Sequence, residues 1–345
     1  MANQRSDQPV AAESRWAQFQ QSKGFAAIVL LALLGILILA LVIGIGTGTV
    51  QLTPHQVVYA IFGPEDYQWH RVVWNIRLPR VLLAGLVGMC LAASGTMLQA
   101  IMGNPLADPG IIGISAGGGL FGIMILLVFP QLFMWTPIFA FIGAMGAAMI
   151  IYILAWKGGI QPIRVILAGV AVSALCGAGI SAIMVLFSDR VQGAILFMNG
   201  SLSMRSWREF NLLFPYAIVA LTLAIFCVRR LDIIVLGDDI ARSIGMNVQA
   251  NRLGMTAIAA LLAAGAVSAV GLLSFVGLIV PHMMRMIVGT SHRILLPASI
   301  LGGGALVILS DTLARTMFSP TDLPVGIVMA VLGVPFFLFL LRRTM

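Results

Sequence analysis

The sequence predicts an all-α integral membrane protein of ten transmembrane helices, with both termini in the cytoplasm. Three observations lead there. Sixty per cent of the 345 residues are apolar, only 9% are charged, and the mean hydropathy is +1.04. A soluble chain of this size carries far more surface charge, so lipid is the solvent for most of this one. Apolar runs long enough to cross a bilayer recur along the chain, and the basic residues are distributed unevenly between the segments that separate them.

The runs fall at 25–46, 79–101, 110–129, 137–156, 162–187, 210–228, 253–273, 274–290, 294–314 and 323–341. A helix needs roughly 20 residues to span the hydrocarbon. Residues 253–281 are nearly continuous, and only "GLLSF" at 271–275 suggests a turn between the seventh and eighth runs. Residues 1–24, with Arg5, Arg15 and Lys23, form a polar tail. The run after it is longer than a signal-peptide core and lacks a small-residue cleavage site, so the first span is read as uncleaved. The chain thus divides into a cytoplasmic tail, 1–24, and a ten-helix domain, 25–345.

Charge tests the number of crossings. With a cytoplasmic N-terminus and ten spans, seven of the 20 basic residues face outward: Arg71, Arg77, Arg80, Arg190, Arg205, Arg208 and Arg315. The remaining thirteen face inward, including Arg164, Arg229, Arg230, Arg242, Arg252, Arg285, Arg293, Arg342 and Arg343. That is the expected sign. Nine spans would put "LLRRTM" outside, against the same rule.

Composition also excludes function classes. The formal charge of +8 contains no run of five or six basic residues, so topology explains it and nucleic acid is not implied. Cys90, Cys176 and Cys227 sit in apolar stretches without CxxC spacing, and four scattered histidines make no metal pattern. No cofactor or metal is expected. The glycines of "GISAGGGLFG", "GAGIS" and "LGGGAL" lie within spans and read as close helix packing; none belongs to a nucleotide loop. No cluster of acids, bases or ligands suggests an enzyme, and the row of buried Asp, Glu or His expected of a proton-driven carrier is missing. Asp108, in "NPLADPG", falls in an inside turn. Ser94, Thr96, Gln99, Ser173 and Ser181 either line a path or bond neighbouring carbonyls, the second being commoner.

Two short stretches stand out. The longest inside loop, 229–252, contains "GDDIARSIGMN". Asp238 and Asp239 open a short helix that Gly245 stops, with Ala241 and Arg242 between. Ile240 and Ile244, four apart, share one face. Such a helix docks on a partner, lies on the bilayer or folds back on the bundle. "NIRLPR" at 75–80 enters the second span from outside, with Pro79 suited to a first helical turn. Arg77 and Arg80 then oppose the helix dipole, which fits either a partner's carboxylates or lipid phosphates.

Four long blocks carry a family resemblance: "RLPRVLLAGLVGMCLAASGTMLQAIMGNPLADPGIIGISAGGG", "GDDIARSIGMN", "GLLSFVGLIVPHMMRMIVGTSHRILLP" and "SDTLARTMFSPTDLPVGIVMAVLGVPFF". In this order and spacing they resemble the FecCD-type permease subunits of type II ATP-binding cassette (ABC) importers for iron–siderophore complexes, haem and cobalamin. The resemblance covers nearly the whole chain from about residue 70. It implies a ten-helix permease in the bacterial plasma (inner) membrane, working as a homodimer or beside a similar chain. Two cytoplasmic ABC ATPase subunits and an extracytoplasmic substrate-binding protein would be its partners, with ATP hydrolysed by the former. Residues 237–252 would fill a cleft on the ATPase, and Arg77, Arg80 and Arg315 would accept acidic residues of the binding protein. "KGGIQPIRVILAG" resembles the turn at the inner gate, although Gln161 and Pro162 stand where small polar residues are more usual. "FMNGSLSMRSW", with Met198 and Asn199, resembles the helix at the outer pore mouth. The implied cargo is a ferric siderophore, with haem next and cobalamin third; the rival class is an ion-gradient-driven secondary carrier.

Overall fold

The computed structural model describes residues 23–48, 50–110, 112–157, 161–319 and 321–344; nearly all of the expected polar tail lies outside them. Among the described residues the fold is helical. Seven helices are long and apolar enough to cross a membrane. They are α1 (Lys23–Gly46), α3 (His70–Met102), α5 (Thr136–Ala155, entered through a 3-10 turn at Pro130–Trp135), α6 (Pro162–Leu186), α8 (Trp207–Phe226), α11 (Val248–Val270) and α13 (His292–Met317). Three shorter apolar helices complete the bundle: α4 (Ile114–Val128), α12 (Val276–Val288) and α14 (Val325–Thr344). The rest are small: α2 (Pro54–Phe62), α7 (Val191–Met198), α9 (Val228–Val235) and α10 (Asp238–Ser243).

Each apolar run of the sequence coincides with one of these apolar helices, but three differ from a plain span. At 15 residues α4 is about 22 Å long and at 13 residues α12 is about 20 Å, both short of a ~30 Å hydrocarbon core. The described apolar part of α14 is short as well. Non-helical backbone therefore enters the bundle, where it must be satisfied by protein. At the "GLLSF" break, the Leu272 amide donates to the Phe197 carbonyl at 2.9 Å and the Ser201 amide to the Val270 carbonyl at 2.9 Å. Gly271, at φ 85°, is required there, because a Cβ would overlap the Phe197 carbonyl.

α3 is the central post, buried along nearly its whole length from Leu78. Its small residues admit neighbouring backbones. A Cβ on Gly88 would overlap the Gly303 carbonyl of α13, and one on Gly95 would overlap the Gly277 carbonyl of α12. Ser94 Oγ donates to the Ala259 carbonyl of α11 at 2.7 Å. Thr96 Oγ1 bonds the Ala92 carbonyl one turn back, and Gln99 Nε2 donates to the Gly277 carbonyl at 3.2 Å. Ser94 and Gln99 thus hold helices together, whereas Thr96 is satisfied within α3. By contrast Ser173 Oγ is buried without a hydrogen-bond partner and Ser181 is exposed on α6.

Two boundaries move a functional stretch. α3 begins at His70, so Arg77 and Arg80 lie two turns inside a helix and not at its N-terminus. The turn Val73–Arg77 is π-helical, an irregularity that often marks functional positions. The expected loop 229–252 is mostly helical: it comprises α9, α10 and the first turn of α11, which carries Arg252.

The glycine crossings predict a contrast. Gly88→Val should destabilise the protein by about 3 kcal/mol or more through overpacking. Gly177→Ala, where a Cβ meets open space, should be neutral or slightly stabilising. Melting curves of the two variants in detergent measure the difference.

Candidate functional site

The chemistry-bearing residues gather at the two ends of the bundle. One end holds α10. Asp238 and Asp239 occupy its first turn, after Gly237 at φ 104°, and Gly245 at φ 82° ends the turn that follows. Ala241 is fully buried beneath the helix, whereas Ile240 and Ile244 are 49% and 59% exposed. The shared apolar face expected from their spacing is thus uncovered. The charges have separate duties. Arg252 Nη2, on α11, pairs with Asp238 Oδ1 at 2.8 Å and is largely buried, tying α10 to α11. Arg242 bridges Asp238 at 3.4 Å and Asp239 at 3.6 Å on the open surface. α9 is anchored as well: Asp232 Oδ1 accepts from the His292 amide at 2.7 Å and stands 2.9 Å from His292 Nδ1 at the start of α13.

At the opposite end lie the three arginines. Arg77 is only 5% exposed. Its Nη1 donates to the carbonyls of Ile45 at 3.0 Å and Gly46 at 3.1 Å, and Nη2 to that of Val50 at 2.6 Å. Arg315 donates to the Gly44 carbonyl, and Thr47 covers that of Ile43. The last four carbonyls of α1, which have no partner inside the helix, are all satisfied, and two cations sit at the negative end of its dipole. The apparent conflict with the dipole of α3 disappears for Arg77, because its charge serves α1. Arg80 lies between two carboxylates: Nε and Nη2 meet buried Asp311 at 3.0 and 2.9 Å, and Nη1 meets Asp322 at 2.8 Å. Asp322 is 42% exposed and also accepts from Ser203 Oγ at 3.1 Å. Three guanidinium groups open to the exterior were expected; instead each one already holds internal acceptors. Exposed arginines at this end are Arg71, Arg190 and Arg208. Arg205, beside Glu209, is lowered by burial, with the carboxylate partly opposing the shift.

The expected gate residues separate. Gln161, exposed, precedes the first turn of α6 and its carbonyl accepts from the Val165 amide; residues 158–160 lie outside the described part. Met198 and Asn199 end α7 at the other end of the molecule. Asn199 Nδ2 donates to the Ile195 carbonyl at 2.9 Å, and the Asn199 carbonyl packs against Gly326 at the start of α14. Their segment braces the α11–α12 break and the start of α14.

For one residue the sequence located the turn but not its burial. The turn carrying Asp108 folds back into the bundle, and the carboxylate, 6% exposed, lies beside Gly277 in the first turn of α12. Gly277 packs on Gly95, so the turn carries Asp108 about 10 Å back from the end of α3. The positive end of α12 suits a carboxylate there, and Oδ1 also accepts from the Gly110 amide at 2.8 Å. Asp108, Ser274, Phe275, Leu278 and Val334 line a cavity of about 350 Å³. Among the described residues no three His, Cys, Asp or Glu side chains gather to hold a metal.

The profile of the FecCD transport family matches residues 36–343. The chain belongs to this family. The FecCD chain is 38% identical over 324 residues to the Fe(3+)-citrate import system permease protein YfmE of Bacillus subtilis (strain 168), covering 94% of this chain and 96% of that one. To the hemin transport system permease protein HmuU of Yersinia pestis it is 41% identical over 290 residues, 81% and 85% of the two chains. To the cobalamin import system permease protein BtuC of Halobacterium salinarum (strain ATCC 700922 / JCM 11081 / NRC-1) it is 38% identical over 272 residues, 79% and 73% of the two. A solved structure of a metal-chelate type ABC transporter in an inward-facing conformation superposes with a TM-score of 0.82 at 26% identity, over 92% of this chain and 99% of that one. This FecCD protein is therefore a multi-pass transport permease of the bacterial plasma (inner) membrane.

The Arg252–Asp238 pair gives a direct test of how α10 is held. Arg252→Ala should leave the bundle folded but speed amide exchange across 237–247 by about tenfold or more. Hydrogen–deuterium exchange on the detergent-solubilised chain reads this, and unchanged protection would show that the pair does not anchor the helix.

Proposed function

We propose that this FecCD permease is the passive conduit of an ABC importer, carrying a ferric siderophore inward under force applied at α10. Two cytoplasmic ATPase subunits would drive it, a substrate-binding protein would load it from outside, and a second permease chain would complete the path. In this reading the chain crosses the membrane ten times and both termini are cytoplasmic. The end bearing α10 is then the inner one. The observation that carries the reading is the uncovered Ile240–Ile244 face on a helix fixed from beneath by Arg252. A helix folded onto the bundle would bury that face, and a flexible loop would transmit no load.

The cargo is ranked by the relatives. Iron citrate, iron hydroxamate and hemin appear among their names, with cobalamin beside them, so an iron chelate leads and a haem or cobalamin permease is the alternative. Docking of the binding protein at Arg80 would require a carboxylate of that protein to replace Asp322, the most exposed of the acceptors on these arginines. Arg77 and Arg315 would contribute by fixing the α1 end, which shapes the same rim. Gln161 and Pro162 on the inner side, with Met198 and Asn199 on the outer, remain the gate assignments of this reading.

Reconstitution with its ATPase and a loaded binding protein tests the proposal. ATP-dependent uptake of ferric siderophore should fall at least tenfold in Ile240→Asp/Ile244→Asp, with the variant inserted and its Tm unchanged. Uptake by the permease alone, driven by an ion gradient, would identify the secondary carrier instead. Charge removal at the rim, Asp322→Asn, should strengthen capture of an acidic binding protein severalfold, most at low salt; weaker capture would show that Asp322 does not compete for Arg80.

A further inference from the structure

A groove of about 850 Å³ runs along the outside of the bundle between α5 and α11. It exists because both helices present small residues there, Gly146 on α5 and Ala257 and Ala260 on α11. A Cβ built on Gly146 meets nothing within 4 Å, so no side chain among the described residues fills the trough there. Its walls are long and apolar, and Met149 and Ile153 remain 67% and 62% exposed. From Phe141 to Trp156 the groove follows α5 for about 22 Å, more than half of a ~30 Å hydrocarbon core. An empty trough at this depth would forfeit dispersion contacts that an extended acyl chain restores.

The chemistry changes at the end nearest α10. Trp156 is half exposed at the rim, and Lys157 follows it into solvent. This pairing of an indole and a cation is the usual marker of the headgroup level. One turn deeper, about 6 Å, Tyr152 and Thr256 underlie the floor, with their hydroxyl oxygens buried and facing each other. That depth is the level of a glycerolipid's ester groups, while Lys157 meets the phosphate above.

We propose that this groove is a binding site for one acidic phospholipid of the leaflet at the α10 end. Its acyl chain lies between α5 and α11, its esters near Tyr152 and Thr256, and its phosphate on Lys157. The site also bears on α10, because Arg252 lies one turn from Thr256 on α11 and holds Asp238. Lipid wedged against this stretch of α11 steadies the base from which α10 projects.

The test uses the full chain purified in mild detergent. Native mass spectrometry should find a single retained phospholipid, and added phosphatidylglycerol should raise Tm by a few degrees, whereas soluble glycerol phosphate should not. Gly146→Phe fills the trough and should lose both the retained lipid and the shift. Ala257→Phe does the same from the opposite wall and serves if the first variant does not fold. Lys157→Glu should keep the lipid but lose the preference for phosphatidylglycerol over phosphatidylethanolamine. Lipid retained by the filled variants, or no shift in the unaltered protein, would overturn the proposal. So would cross-linking of Met149→Cys chains to one another, which would place a second copy over the groove.

Discussion

The architecture depends on how closely other backbones approach α3. In lipid, burying leucine against leucine gains little over burying it in acyl chains, so association has to come from packing and polar bonds between helices. Here the approach is through Gly88 against Gly303 and Gly95 against Gly277, close enough that no side chain fits between. Once those backbones meet, Ser94 reaches the Ala259 carbonyl and Gln99 reaches that of Gly277. The sparse polar groups of the spans are placed by the glycines, and then reinforce them.

The same closeness makes the short helices tolerable. α4 and α12 begin inside the bundle, next to turns that would be ruinous if they faced hydrocarbon. The turn around Asp108 is received by the start of α12, and the 271–275 break is received by the segment after α7. A cavity lined by Asp108, Ser274 and Phe275 remains where irregular backbone and helix ends converge.

Much of the local structure was legible in the sequence. The lengths of apolar runs marked each apolar helix, "GLLSF" marked the break, and the acidic start, the Ile240–Ile244 spacing and Gly245 marked α10 and its apolar face. What could not be read depends on pairings between distant residues. Arg77 looked misplaced because its acceptors, Ile45 and Gly46, lie on another helix about 30 positions earlier. Arg80 looked free because Asp311 and Asp322 are more than 230 positions away. The start of α3 at His70 and of α11 at Val248 also hid from hydropathy, since polar first turns resemble loops. Asp108 was placed in a turn, but nothing local shows that this turn folds inward.

The mounting of α10 has a mechanical meaning. Its roots run into two different long helices, through Arg252 into α11 and through Asp232 of the adjoining α9 into α13. Those two helices grip α3 from separate sides, one by the Ser94 bond and one by the Gly88–Gly303 crossing. In the proposed mechanism a sideways shove on the knob would therefore bear on the central post from two sides at once.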